Sequence, residues 1–307
     1  MDRRQAITGH TKIVGVIGSP INHSRSPQMH NAALSKAGLD FVYVPFHVSA
    51  DAIDQAINGF KALKIIGINV TLPHKQSVIP YLTSISHEAD LIGAVNTLTF
   101  LDNGIHGDNT DAPGFLRAMN ENNIPIPIGK DVVVLGAGGS ARAIVVALAL
   151  ADVNSITIVN RTVPKAITLA EELTKKISKQ YVDIMSKDNV EKSVDVTFDT
   201  NITGMGFDDK QLPEAIVNCA MLVNTTSSGM DESQPLLINQ EWLQSETIVY
   251  DIVYTPPITK LLKAAQEMGC TTIEGIGMLI HQGAIAFEQW TGVEPCVNTM
   301  KNALLIN

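Results

Sequence analysis

Val132-Val133-Val134-Leu135-Gly136-Ala137-Gly138-Gly139-Ser140-Ala141 is the stretch on which the reading of this chain turns. An apolar run of strand length breaks into small residues and reopens as an apolar helix over residues 140–150, the order strand, glycine-rich turn, helix. Each small residue has a physical task. Gly136 permits the tight turn, Gly138 lets backbone approach a pyrophosphate, and Ala141 allows the helix to pack closely on its strand. Ala137, Gly139 and Ser140 complete a turn whose N–H groups, with the positive end of the helix, suit an anion. A plain βα turn without a ligand is the simpler alternative, and the strand-before, helix-after context weighs against it.

The strand that follows, residues 156–159, ends in Asn160-Arg161-Thr162. An NAD-selective site has a carboxylate at this point, accepting bonds from the ribose hydroxyls. Arg161 instead offers a planar pair of donors to a 2′-phosphate, Thr162 adds a hydroxyl, and Lys165, one turn on, adds a second positive charge. This points to NADP, the alternative being that Arg161 is only a solvated surface residue.

Outward from this unit, β-branched runs alternate with helical patterns, the signature of an α/β fold with a mainly parallel sheet. Residues 12–17, 41–46 and 67–71 read as strands and 27–37 and 50–63 as helices, and a hairpin spans 94–100 and 105–106 around Asp102-Asn103-Gly104. After a helix over 112–122, Pro125, Pro127 and Gly129 mark a linker. Strands resume at 221–224 and 248–252, followed by a helix over 278–290 that periodicity assigns to neither half. The polar, weakly periodic residues 178–210 receive no assignment.

A length of 307 residues fits two domains. At 45% hydrophobic and 17% charged, the chain is neither disordered nor a coiled coil. With 22 basic against 31 acidic residues, a net charge of −9 argues against nucleic acid or an anionic membrane as partner. No apolar run approaches the ~20 residues of a membrane span, and the stretch from Met1 to Lys12 holds no signal-peptide core. Cys219, Cys270 and Cys296 form no CxxC pair and no zinc-ligand spacing, so a reducing cytoplasm and no metal are expected. His23 and His74 adjoin polar clusters but read as hydrogen-bonding or exposed residues. The aliphatic surfaces are compatible with a homodimer, though no motif specifies one.

Four polar clusters lie at strand ends or turns of the first half: residues 23–27, 69–75, 93–97 and 108–111. Parallel strands converge at their carboxyl ends, so Ser24, Ser26, Asn69, Thr71, Lys75, Asn96 and Asp111 could line one pocket suited to a small polyhydroxylated acid. Taken singly, Ser26 reads equally well as a helix cap, and Lys75 with Asp111 as a surface salt bridge.

At these clusters, at residues 224–230 and 250–254, at 259–262, and at Gln282-Gly283-Ala284, the chain resembles the shikimate dehydrogenase family, including its quinate/shikimate members. The resemblance runs essentially end to end. It implies a discontinuous substrate-binding domain (1–111 plus 276–307), a Rossmann-type NADP-binding domain (112–275) and reversible, NADPH-dependent reduction of 3-dehydroshikimate to shikimate on the route to chorismate and aromatic amino acids. Lys75 and Asp111 match the family's catalytic pair, and Ser24 and Ser26 the residues that bind the substrate carboxylate. Asn69, Thr71, Asn96 and Gln282 match those holding ring hydroxyls, with Tyr250 nearby. Gly136, Gly138, Gly139, Asn160, Arg161 and Thr162 match the cofactor set. Two alternatives stand beside this: a quinate/shikimate enzyme using NAD or both cofactors, and a non-catalytic NADP-binding regulatory protein on the same fold.

Overall fold

The computed structural model describes residues 7–187 and 199–305. The Met1–Arg4 start and residues 188–198 of the unassigned polar stretch lie outside them. The chain divides into two compact units, Met1–Phe115 with Met278–Asn307, and Leu116–Gly277.

The first unit opens with β1 (Lys12–Gly18), α1 (Ser26–Lys36), β2 (Phe41–His47), α2 (Ile53–Ala62) and β3 (Gly67–Val70). Then come β4 (Ser84–Ile85), α3 (His87–Ile92), β5 (Thr97–Leu101), β6 (Gly104–Asp108) and α4 (Asp111–Glu121), whose start belongs here. Its sheet has the order β2-β1-β3-β5-β6-β4. β1 pairs parallel with β2 and β3, and β4 with β6, while β3–β5 and β5–β6 are antiparallel. The hairpin starts at Thr97 rather than at 94, because Ala94–Asn96 crosses as a loop in which Val95 N–H donates to the Lys75 carbonyl at 2.7 Å. Neither β4 nor α3 has a sequence signal strong enough to be read in advance. α3 nevertheless carries a clear cap, Ser86 Oγ accepting from Ala89 N–H at 3.1 Å.

Strand periodicity sorts this sheet into two faces. Ile17, Ile68, Val70, Leu98 and Ile105 pack with Ile57 and Phe60 of α2 into an apolar core. Gly67, Asn69 and Thr97 occupy the alternate positions. There Gly67 is small of necessity: a Cβ on it would lie 2.1 Å from Nε1 of Trp290, which donates to the Leu98 carbonyl at 3.1 Å. Trp290 belongs to a late helix, so the last part of the chain closes this face.

Beside it, the ring of His30 stacks on Tyr43 with centroids 4.2 Å apart and planes 8° from parallel, with Phe287 at 6.3 Å. His30 is fully enclosed, neither ring nitrogen has a partner, and burial pulls its pKa down to about 3.

The second unit contains β7 (Asp131–Leu135), α5 (Gly139–Ala149), β8 (Ser155–Val159), α6 (Val163–Lys187), β9 (Asn201–Met205), α7 (Leu212–Asn218) and β10 (Met221–Asn224). It continues through β11 (Ile248–Asp251), α8 (Lys260–Glu267), β12 (Thr271–Ile273) and the first residues of α9 (Ile276–Thr291); α10 (Val297–Leu305) returns to the first unit. Its sheet is parallel throughout, in the order β12-β11-β10-β7-β8-β9. Counted within the unit, that is the doubly wound order 3-2-1-4-5-6, whose winding reverses between β7 and β10. Part of the unassigned stretch 178–210 thus resolves into the end of α6 and into β9. Gly204 of β9 packs directly on α6, where a Cβ would lie 2.4 Å from the Ala166 backbone.

His30 generates a prediction. Its lowered pKa makes its share of the stability fully present above about pH 6.5, the unfolded value, and progressively lost as pH falls toward 3, at up to about 1.4 kcal/mol per pH unit. His30→Phe keeps the ring stack and removes two unpaired buried atoms. Thermal unfolding should therefore show a higher Tm at pH 7 and a shallower decline between pH 6.5 and 5 than the wild type; parallel declines would contradict the assignment.

Candidate active site

In the first unit, the chain after β3 turns back at Lys75 while α4 begins at Asp111, and the two side chains form an ion pair at 8% and 4% residue exposure. Removing both ions from water costs several kcal/mol each, so their neighbours must supply compensating bonds. They do. Asp111 Oδ1 accepts from Asn96 Nδ2 at 2.8 Å, its backbone N–H donates to Asn109 Oδ1 at 3.0 Å, and its carboxylate sits at a helix N-terminus. The pair is therefore a buried unit and not a surface salt bridge.

Asn96 is held by donors that admit only one orientation of its amide. Oδ1 accepts from Thr110 N–H at 2.8 Å and from Thr97 Oγ1 at 2.9 Å, which leaves Nδ2 toward Asp111 and, at 3.5 Å, Gln282 Oε1. Asn69, buried mid-strand on β3, is fixed in the same manner: Tyr43 O–H donates to Oδ1 at 2.8 Å, and Nδ2 donates to Thr97 Oγ1 at 3.2 Å. Lys75, Asp111, Asn96, Asn69 and Gln282 thus belong to one network. A Cβ on Gly114 would fall 2.8 Å from the Gln282 backbone, so α4 and α9 approach closely only because position 114 is glycine.

Ser24, Ser26 and Thr71 stand at the carboxyl ends of β1 and β3, whose loops are tied by Ser19 N–H to the Leu72 carbonyl at 3.0 Å. Ser26 is the first residue of α1, one past the N-cap Arg25, and its backbone N–H donates to Ser24 Oγ at 3.4 Å, which sets the two serines side by side. Tyr43, Thr97 and Thr110 were not singled out in the sequence as site residues. The signal was the two asparagines: a buried amide demands partners, and Tyr43 and Thr97 serve Asn69 while Thr110 serves Asn96.

In the second unit, Gly136 has φ of +110° and its N–H donates to the Val159 carbonyl at 2.7 Å. A Cβ there would also lie 2.4 Å from Thr225 Oγ1, so both conformation and space require glycine. Gly138 is the N-cap of α5, and a Cβ on it would meet nothing within 4 Å. Open space over a helix N-terminus that starts at Gly139 and Ser140 is what a pyrophosphate needs, and Ala141 is fully buried behind it. Asn160 Nδ2 donates to the Thr162 carbonyl at 2.9 Å, shaping the turn that exposes Arg161, Thr162 and Lys165. Arg161 and Lys165 have no ion-pair partner among the described residues. The donor set therefore fits a dinucleotide with a further phosphate on its ribose.

Tyr250 lies in this second unit, on β11, and is fully enclosed. Tyr254, three residues past the strand, is the partly exposed tyrosine of the motif. Among the described residues no group of His, Cys, Asp or Glu side chains is arranged to hold a metal, and no helix is long and apolar enough to cross a membrane.

The doubly wound second unit with its open glycine turn, and the first unit with its buried lysine–carboxylate pair among amides and hydroxyls, define a dinucleotide-dependent oxidoreductase. Family models match accordingly: the shikimate dehydrogenase substrate binding domain at residues 16–98, shikimate/quinate 5-dehydrogenase at 121–205, and the shikimate 5′-dehydrogenase C-terminal domain at 275–305. The shikimate dehydrogenase (NADP(+)) of Methanopyrus kandleri is 40% identical over 302 residues, covering 98% of this chain and 97% of that one. A crystal structure of a shikimate dehydrogenase in complex with NADP+ aligns with a TM-score of 0.85 at 39% identity, covering 99% and 98% of the two chains. The Listeria monocytogenes shikimate 5-dehydrogenase, in complex with shikimate and NAD, aligns at 0.82 and 39%, covering 98% of each. The chain belongs to the shikimate dehydrogenase family.

Burial of the ion pair has a measurable consequence. Lys75→Met leaves Asp111 enclosed without its cation and should cost about 3–5 kcal/mol in urea unfolding. Adding Asp111→Asn removes the stranded charge and should recover a substantial part of that loss. Equal losses in the single and double variants would show that the two side chains are not coupled.

Proposed function

We propose that the protein is an NADP-dependent shikimate dehydrogenase, interconverting 3-dehydroshikimate and shikimate, and that the observation carrying this is the Lys75–Asp111 pair bonded through Asn96 to Gln282. The first unit (Met1–Phe115 with Met278–Asn307) would act as the substrate domain and the second (Leu116–Gly277) as the NADP domain, close to the divisions at 111 and 276 that the resemblance implies. Ser24 and Ser26 offer hydroxyl donors to the substrate carboxylate. Asn69, Thr71, Asn96 and Gln282 supply amides and a hydroxyl to its ring hydroxyls. Arg161, Thr162 and Lys165 take the 2′-phosphate, a planar guanidinium being the best single match to it.

Hydride for the carbonyl carbon comes from bound NADPH and, in the reverse direction, passes to NADP+. As that carbon is reduced its oxygen gains negative charge, and a donor held in a water-poor site stabilises it far more than bulk water would. The Lys75–Asp111 pair delivers the proton as a coupled unit: Lys75 Nζ presents the N–H, and Asp111 holds it in place. In shikimate oxidation the same pair receives the hydroxyl proton. Asn96 holds Asp111 in place by donating from Nδ2 to Oδ1, so the carboxylate stays oriented toward Lys75. The reading also implies a reducing cytoplasm, where Cys219, Cys270 and Cys296, all free, remain thiols.

Initial rates for shikimate and quinate with NADP and NAD test the assignment, the expected maximum being shikimate with NADP. Faster quinate oxidation with NAD would move the protein to the quinate/shikimate alternative, toward which the match at 121–205 also extends. NADPH binding without any dehydroshikimate-dependent absorbance change would favour a non-catalytic protein. Lys75→Ala should lower kcat at least 100-fold while the NADPH Kd stays within about twofold, because the lysine acts on the developing oxyanion and not on the nucleotide. Arg161→Ala should raise KM for NADP about tenfold or more and leave NAD almost unaffected. An equal rise for both would make Arg161 a general support of the turn.

A further inference from the structure

Leu135, Asn224 and Asp251 stand side by side in register at the carboxyl ends of β7, β10 and β11, the row where the winding of the second sheet reverses. Two of the three are polar and fully buried. Asp251 has no cation within ion-pair distance among the described residues, yet its carboxylate is surrounded by donors. Oδ1 accepts from Asn224 Nδ2 at 2.9 Å and from Val253 N–H at 3.0 Å, and Oδ2 accepts from Thr259 Oγ1 at 2.7 Å. Thr259 is the N-cap of α8, its oxygen already accepting from Leu262 N–H at 3.2 Å, so its proton is directed at Asp251. Enclosure raises the Asp251 pKa to about 6, opposed by the bonds from Thr259, Val253 and Asn224. Ionisation in such a place is unfavourable and calls for a reason.

The reason lies in the amide beside it. A carboxylate only accepts, so Asn224 must turn Nδ2 toward Asp251 and Oδ1 away. Nδ2 then also donates to the Ser228 carbonyl at 3.1 Å, while Oδ1 accepts from Thr226 N–H at 3.0 Å and Thr226 Oγ1 at 2.7 Å. The loop over residues 225–229 is thereby wrapped around one amide of fixed orientation. Its other end is fastened to the glycine turn: Thr225 N–H and Oγ1 both donate to the Leu135 carbonyl, at 2.8 and 2.6 Å. A Cβ on Gly136 would collide with Thr225 and crowd the Thr226 methyl, so this loop is the wall facing the turn. Gly229, at φ +103°, closes the loop against Thr259.

We propose that Asp251 is a positioning residue of the dinucleotide site: by orienting Asn224 it sets the shape of the 225–229 wall opposite Gly136, and so the affinity for the cofactor. The inference rests on the reading of the glycine turn as the NADP seat. It is tested by NADPH titration followed by fluorescence in the absence of substrate, a measurement that stands even if shikimate proves not to be the substrate. Asp251→Asn replaces the charged acceptor of Asn224 Nδ2 with a neutral one, weakening the bond that anchors the amide, and should raise the NADPH Kd about tenfold, with KM for NADP following. KM for shikimate and kcat at saturation should stay within about twofold. Thr259→Val removes one donor at nearly constant shape and should raise Kd about threefold, and Thr259→Ser should restore it. A role confined to stability would lower Tm and the active fraction in these variants without moving Kd. An NADPH Kd within twofold of wild type in Thr259→Val, and in Asp251→Asn where that variant folds, would overturn the proposal.

Discussion

Burying a lysine beside an aspartate is the constraint around which the first unit is built. Desolvating the two ions is costly, and the Coulomb attraction alone does not compensate unless every remaining donor and acceptor is matched. The matching extends several residues outward. Asn96 serves Asp111, Thr110 and Thr97 orient Asn96, Thr97 bonds Asn69, and Tyr43 fixes the other end of Asn69. A polar layer is thus threaded through a sheet whose opposite face is apolar. The irregular passage through residues 94–96, where a regular hairpin would have continued, serves the same layer, because it brings the Asn96 side chain between the strand ends.

The second unit solves a comparable problem with an anion instead of a pair. Its glycine turn leaves N–H groups and helix charge for a phosphate, and the exposed Arg161 and Lys165 counter a chain that is acidic overall. Screening over about 8 Å at physiological salt makes these local cations count for more than distant carboxylates. Asp251, enclosed and ionisable, is the exception that its three donors make tolerable.

Much of this was legible in the sequence, and the physical reason differs from case to case. The strand–turn–helix at residues 132–150 could be read because it is a local pattern: its glycines, its apolar strand and its helix lie next to one another. Lys75 and Asp111 were identifiable as a pair only through family resemblance, since 36 residues separate them and either alone fits a surface. Tyr43 and Thr97 remained invisible for the opposite reason. Each suits a strand by propensity, and their hydrogen bonds to Asn69 are made through the fold. Tyr250 is fully enclosed at the third position of β11, whereas Tyr254 sits past the strand end and is partly exposed, a difference that adjacency in sequence does not reveal. Strand β9 escaped assignment because its short, Gly-containing sequence has little periodicity and gains its place from pairing with β8 and packing on α6.

The closure of the first unit by Trp290 and Phe287 bears on how the chain is made. A ribosome delivers residues 1–115 first, then the entire second unit, and only afterwards the helix that carries Gln282, Phe287 and Trp290. Until that helix emerges, Gly67 has no indole above it, and the His30–Tyr43 stack lacks its outer wall. The doubly wound unit, continuous in sequence, can be completed while its elder neighbour is still open on one face. Assembly of the polar network around Asp111 is consequently among the last events of synthesis, and a nascent chain can hold a finished nucleotide fold well before it can hold a finished Gln282–Asn96 contact.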